Sequence, residues 1–157
     1  MPTELLYRII DEPKESPWRA WVVKPFWPWL ALLLGGVWAG APWFIVNALA
    51  IGSHSRRKEI ALAAALPFAL LGSLFAAFAL GDALELPRRA VPYLILPAVF
   101  LKLALAYVLF VWQSRAFELH RHFGGVAKSG AFVAVAAFLL RSRVLEAVPT
   151  WLALGLM

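Results

Sequence analysis

The chain has 157 residues, 62% of them hydrophobic and 15% charged, with a mean hydropathy of +0.76, a formal net charge of +6 and no cysteine. A water-soluble domain is typically about 45–50% apolar and about 25% charged, so this composition calls for lipid as solvent, with room for one domain. The absence of thiols excludes disulfides, a cysteine nucleophile and cysteine metal ligands. A net charge of +6 could suggest nucleic acid, but its placement argues against that, because Lys and Arg sit in short loops between apolar runs, as at the cytoplasmic flanks of membrane proteins.

Residues 1–25 read as an amphipathic interfacial segment. Thr3 can cap a short helix, ELLYRIID, that Pro13 ends, with Leu5, Leu6, Ile9 and Ile10 on one face. Ser16-Pro17 is a second start signal. Trp18, Trp21, Trp27 and Trp29 follow, interleaved with Arg19 and Lys24, a mixture that prefers the headgroup zone. The expectation is an interfacial anchor, with a partner-docking helix as the second reading. Glu4, Asp11, Glu12 and Glu15, with no long apolar core, argue against a cleaved signal peptide. Ala39-Gly40-Ala41 imitates a cleavage triplet but is followed by Pro42, so the segment is expected to stay uncleaved.

Residues 26–157 hold four windows near the length of about 20 apolar residues that a span needs: 26–51, 60–81, 91–112 and 131–156. The first two carry no charge; Lys102 interrupts the third, and Arg141, Arg143 and Glu146 the fourth. Short connections predict an all-α, antiparallel bundle of four transmembrane helices. Loop charges leave its orientation tied. Arg56, Arg57, Lys58, Arg115, Arg121 and Lys128 would lie on one side, and Arg8, Lys14, Arg19, Lys24, Arg88 and Arg89 on the other. The net positive charge of the first set places both termini outside. An alternative stays open: Gly35-Gly36, Gly40 and Pro42 break the first window into a re-entrant hairpin, leaving residues 1–25 cytoplasmic.

The stretch LLLGGVWAGAPWFIVNALAIGSHSRRKEIALAA carries a Gly-Gly, Ala-Gly, Asn pattern at Gly35, Gly36, Ala39, Gly40 and Asn47, then Gly52 and the basic Arg56–Lys58. Pro87, Pro92 and Pro97 frame the third window, Gly124-Gly125 and Ser129 precede the fourth, and Leu154-Gly155-Leu156 lies near the end. Over residues 26–157 this resembles a group of small, uncharacterised bacterial four-helix inner-membrane proteins. The resemblance implies a multi-pass inner-membrane bundle and no particular activity. The sequence departs from the group at Arg141-Ser142-Arg143.

Charges at span depth cost roughly 2.5–3.5 kcal/mol each on insertion scales and usually face protein or water. Lys102 and Glu146 fall at comparable depths, and a pair between them would lower the cost of both. Arg143 and Glu146 can also pair locally at i,i+3. Arg141 and Arg143 point about 200° apart, so one must snorkel, face a cavity or meet another chain. A buried ion-pair network is the structural reading; an ion, ligand or anionic-lipid site and a protein interface are the functional ones. Gly36 and Gly40 form a GxxxG pair suited to helix packing, internal or against another subunit. Asn47 can hydrogen-bond across helices or end its own. His54, His120 and His122 read as solvated loop residues, since no third metal ligand converges.

No catalytic triad, paired carboxylates or phosphate-cradling loop stands out, and no cofactor or metal is expected. The expected function is that of a non-enzymatic inner-membrane accessory protein: a small subunit, assembly factor or immunity-type inhibitor with a membrane-protein partner. The alternative is a small oligomeric transporter or channel lined by Lys102, Arg141, Arg143 and Glu146. A lipid-directed enzyme is the weakest reading, for want of a nucleophile–base pair.

Overall fold

The computed structural model describes residues 17–149 and 153. Among them it is all-α: α1 Phe26–Leu34, α2 Val37–Ile51, α3 Arg56–Ala83, α4 Val91–His122 and α5 Ala131–Glu146, with short 3-10 turns at Arg19–Trp21 and Arg88–Ala90. The expected helix ELLYRIID and the Leu154-Gly155-Leu156 tail lie outside the described residues.

The first apolar window is not one span. Gly36 adopts φ 110° and ψ 178°, a conformation essentially confined to glycine, and it ends the helix. The N–H groups of Gly35 and Gly36 both donate to the Ala31 carbonyl, at 2.8 and 3.2 Å, and the Trp38 indole donates to the Gly35 carbonyl at 2.7 Å. These bonds satisfy backbone groups that a broken helix would otherwise leave bare. The chain then folds back, and α2 lies against α1. A Cβ on Gly40 would collide with the backbone and Cβ of Leu32, so only glycine permits the approach. Gly36 therefore occupies the break itself, and the expected GxxxG helix surface does not form. At nine and fifteen residues, α1 and α2 reach about 14 and 23 Å, short of a hydrocarbon layer of about 30 Å.

Both ends of this hairpin lie at the same end of the molecule. Val22 is buried with Ala50, Ile51 and Phe117, and the Lys128 N–H donates to the Val22 carbonyl at 2.8 Å. Gly52, at φ 69°, closes α2 in the left-handed conformation typical of helix ends.

α3 and α4, with 28 and 32 residues, extend about 42 and 48 Å. Both are long and apolar enough to cross a membrane. Two helices meet that test among the described residues, not the four expected: α1 and α2 are halves of a hairpin, and α5 spans sixteen residues. The third window also runs on as helix to His122, ten residues beyond its expected end at Trp112. The core joins all of the first four helices through Leu32, Val37, Ala41, Phe44, Ala63, Leu66, Leu70, Ala106 and Leu109. α5 packs on α1, where Gly35 faces Ala137 and Gly130 faces the rings of Trp27 and Trp43.

Candidate functional site

Polar side chains gather where the hairpin ends meet α3 and α4. Asn47, on α2, is fully buried; its Oδ1 accepts from the Val23 N–H at 3.0 Å and its Nδ2 donates to Gln113 Oε1 at 2.9 Å. Gln113, equally buried on α4, donates onward to the Phe44 carbonyl at 2.7 Å. Asn47 thus ties three segments together: the extended run into α1, the end of α2 and α4. Beyond the loop that follows α2, Glu59 is buried in the first turn of α3, where a carboxylate complements the helix dipole. Its Oε1 accepts from both Ser53 and Ser55 at 2.6 Å, which orders the α2–α3 loop, while its Oε2 is buried with no hydrogen-bond partner.

Beside that loop lies a cavity of about 440 Å³, between residues 51–58 and the last three turns of α4. Its polar wall comprises Ser53, His54, Ser55, Lys58 and Arg115, and Trp112 stands on the apolar side. Lys58 and Arg115 are exposed, and among the described residues neither forms an ion pair. His120, expected in a solvated loop, is instead a buried residue of α4 packed on Gly125, with its Nε2 unpartnered; His54 and His122 are exposed. Among the described residues no group of three metal-ligating side chains converges.

The charges that the sequence places at span depth fall elsewhere. Arg141, half-buried on α5, is the charge of that helix within electrostatic range of Lys102 on α4. Arg143 and Glu146 are exposed. Arg141-Ser142-Arg143 does not break α5, which continues to Glu146. Counting eleven residues back from the Asn47–Gln113 bond, about 16 Å of helix in each case, leads to the turn at Gly36 along α2 and to Lys102 along α4.

The tryptophans divide. Trp18 and Trp21 are exposed, and Lys128 Nζ sits 5.9 Å from the Trp21 ring centroid, within cation–π range. Trp29 instead packs inward on Phe110, with ring centroids 5.7 Å apart, and Trp27 backs Gly130.

Gln113 and Glu59 escape the sequence reading, and His120 reads as a loop residue, because each is polar and lies in or beside a basic, loop-like stretch. A signal existed on α4: Gln113, Phe117 and His120 recur at i, i+4 and i+7, one buried helical face. Compared with models of protein families, with curated proteins and with solved structures, the chain matches none.

Proposed function

We propose that the chain is a multi-pass protein of a bacterial inner membrane that acts without catalysis, as a small subunit, assembly factor or inhibitor packed against another membrane protein. α3 and α4 would be its full spans. Only 22% of the most apolar window of α3 and 17% of that of α4 is buried, whereas a core helix of a water-soluble protein would be mostly covered. α1 and α2 would enter the bilayer and return, an arrangement tolerated because the irregular turn at Gly35-Gly36 is buried in protein.

The fold-back also breaks the tie in loop charge. Arg19, Lys24, Arg56, Arg57, Lys58, Arg115, Arg121 and Lys128, eight residues, belong to the end that holds Asn47 and Gln113; Arg88 and Arg89 alone flank the opposite loop. Arg8 and Lys14 lie outside the described residues. The positive-inside rule then makes the Asn47–Gln113 end cytoplasmic. This reverses the expected placement of the N-terminal segment outside.

The accessory reading rests on one observation above all. No described residue between Leu74 and Ala98 is buried, so the far half of the α3–α4 pair exposes Phe75, Phe78, Leu80, Tyr93 and Leu96. A pair of helices with so much apolar surface suits a partner's helices as well as lipid. Purification of tagged protein at native expression in mild detergent, followed by mass spectrometry, tests this. A stoichiometric membrane-protein partner, cross-linked through a photoreactive residue at Phe75 or Tyr93, is the expected result. A homogeneous preparation with no partner and no cross-link at these positions rejects it.

The juxtaposition of Lys102 and Arg141 favours a second reading. Two cations near the re-entrant turn suit an anion path in an oligomer, with Arg143 and Glu146 toward its mouth. Unchanged anion flux in liposomes on Lys102→Gln would remove its central residue.

A further inference from the structure

We infer that the cavity between the α2–α3 loop and the cytoplasmic end of α4 binds a phosphate-bearing headgroup, with Lys58 and Arg115 as its cationic contacts. The volume of about 440 Å³ falls in the range of roughly 300–1,000 Å³ usual for ligand sites. Its walls divide by chemistry. Lys58 and Arg115 come from different helices, α3 and α4, and face one space, while Trp112, Ile51 and Leu119 supply apolar surface. Neither cation is neutralised by a carboxylate among the described residues, and no acidic side chain lines the cavity.

The nearest acid in sequence, Glu59, is turned away into the protein, 1% exposed. Its carboxylate accepts the hydrogen bonds that the Ser53 and Ser55 hydroxyls donate, so those serines shape the wall and do not donate to an anion. The guanidinium of Arg115 can grip two phosphate oxygens at once, and Lys58 adds a point charge. The placement at the membrane surface rests on the reading of α3 and α4 as spans: Trp112 closes the apolar window of α4, and Arg115 begins its basic end, the level at which lipid phosphates lie. The chemistry is shared by an anionic phospholipid and a free phosphate ester.

The full-length protein, purified in detergent, is titrated with short-chain phosphatidylglycerol, short-chain phosphatidylcholine and inorganic phosphate, and bound molecules are counted by native mass spectrometry. Phosphatidylglycerol should bind in preference to phosphatidylcholine, and the double variant Lys58→Gln, Arg115→Gln should weaken that binding by roughly tenfold to thirtyfold, at about one kcal/mol per basic residue. The control, Arg56→Gln with Arg57→Gln, removes equal charge from residues outside the cavity lining and should bind as the wild type. Competition by inorganic phosphate at equal concentration would identify a free phosphate ester as the ligand source; retention of phosphatidylglycerol against it identifies the lipid. Equal loss in both double variants would reduce the effect to diffuse surface charge and overturn the site, as would wild-type binding in the Lys58, Arg115 variant. None of the four side chains is buried, and an unchanged thermal midpoint verifies folding. Recovery of the protein outside the membrane fraction would separately defeat the spanning assignment while leaving phosphate binding measurable.

Discussion

Asn47 and Gln113 meet through a 2.9 Å hydrogen bond between two fully buried amides, one on the returning arm of the hairpin and one on a full-length helix. Each amide is also committed elsewhere. Asn47 holds the Val23 N–H, and Gln113 holds the Phe44 carbonyl. Truncation of one partner strands buried polar groups on the other, which costs about 1–3 kcal/mol. Asn47→Ala should therefore lower stability by that amount, read as a drop in thermal midpoint in detergent. The double variant Asn47→Leu, Gln113→Leu should lose less than the sum of the single changes. Strict additivity would show that the two amides act separately.

Gly36 and Gly72 make a matched comparison of glycine positions. Gly36 sits at φ 110° in the turn, whereas Gly72 lies within α3 with no neighbouring atom inside 4 Å of where a methyl group would project. Gly36→Ala should destabilise by about 1–3 kcal/mol through backbone strain. Gly72→Ala should be neutral or stabilise by up to about 1 kcal/mol, since alanine is the better helix former. Chemical or thermal unfolding of the two variants in the same detergent decides the point.

The absence of cysteine makes topology directly measurable. Single cysteines at Trp18, His54 and Gly124 should all react with an impermeant maleimide from the cytoplasmic face of oriented vesicles, and one at Glu85 from the opposite face. Labelling of Trp18→Cys from the side that labels Glu85→Cys would mean that the first window crosses the membrane after all, as four full spans would require.

Arg141 and Lys102 carry like charge in proximity. Arg141→Gln should raise stability slightly, by about 0.5 kcal/mol, the scale of like-charge repulsion between neighbouring side chains. A large fall in thermal midpoint would instead assign Arg141 a structural contact that outweighs the repulsion.

Several features could be read from local sequence. The apolar windows at 60–81 and 91–112 lie within α3 and α4, and Gly35-Gly36 was identifiable as a place where the first window can break. Asn47 was marked as a residue able to bond across helices, and its partner was not, because Gln113 follows the last residue of an apolar run and reads as the start of a loop. The Lys102–Glu146 pairing assumed that equal depth implies proximity. The fold brings Arg141 within electrostatic range of Lys102 and leaves Glu146 exposed at the end of α5.

Sequence by itself determined the lipid-compatible composition, the helical class, the two long apolar helices and the basic flanks, because hydropathy and charge act residue by residue and need no partner. Tertiary structure alone decided that residues 17–25 return to the end that holds residues 47–59 and 113–130, and so where the positive charge accumulates. The reason is physical. The direction of the chain after α1 depends on one glycine conformation and on hydrogen bonds from Asn47 to groups 24 and 66 residues away, which no local pattern encodes. The same fold-back set Lys58 and Arg115 around one cavity, although 57 positions separate them in the chain.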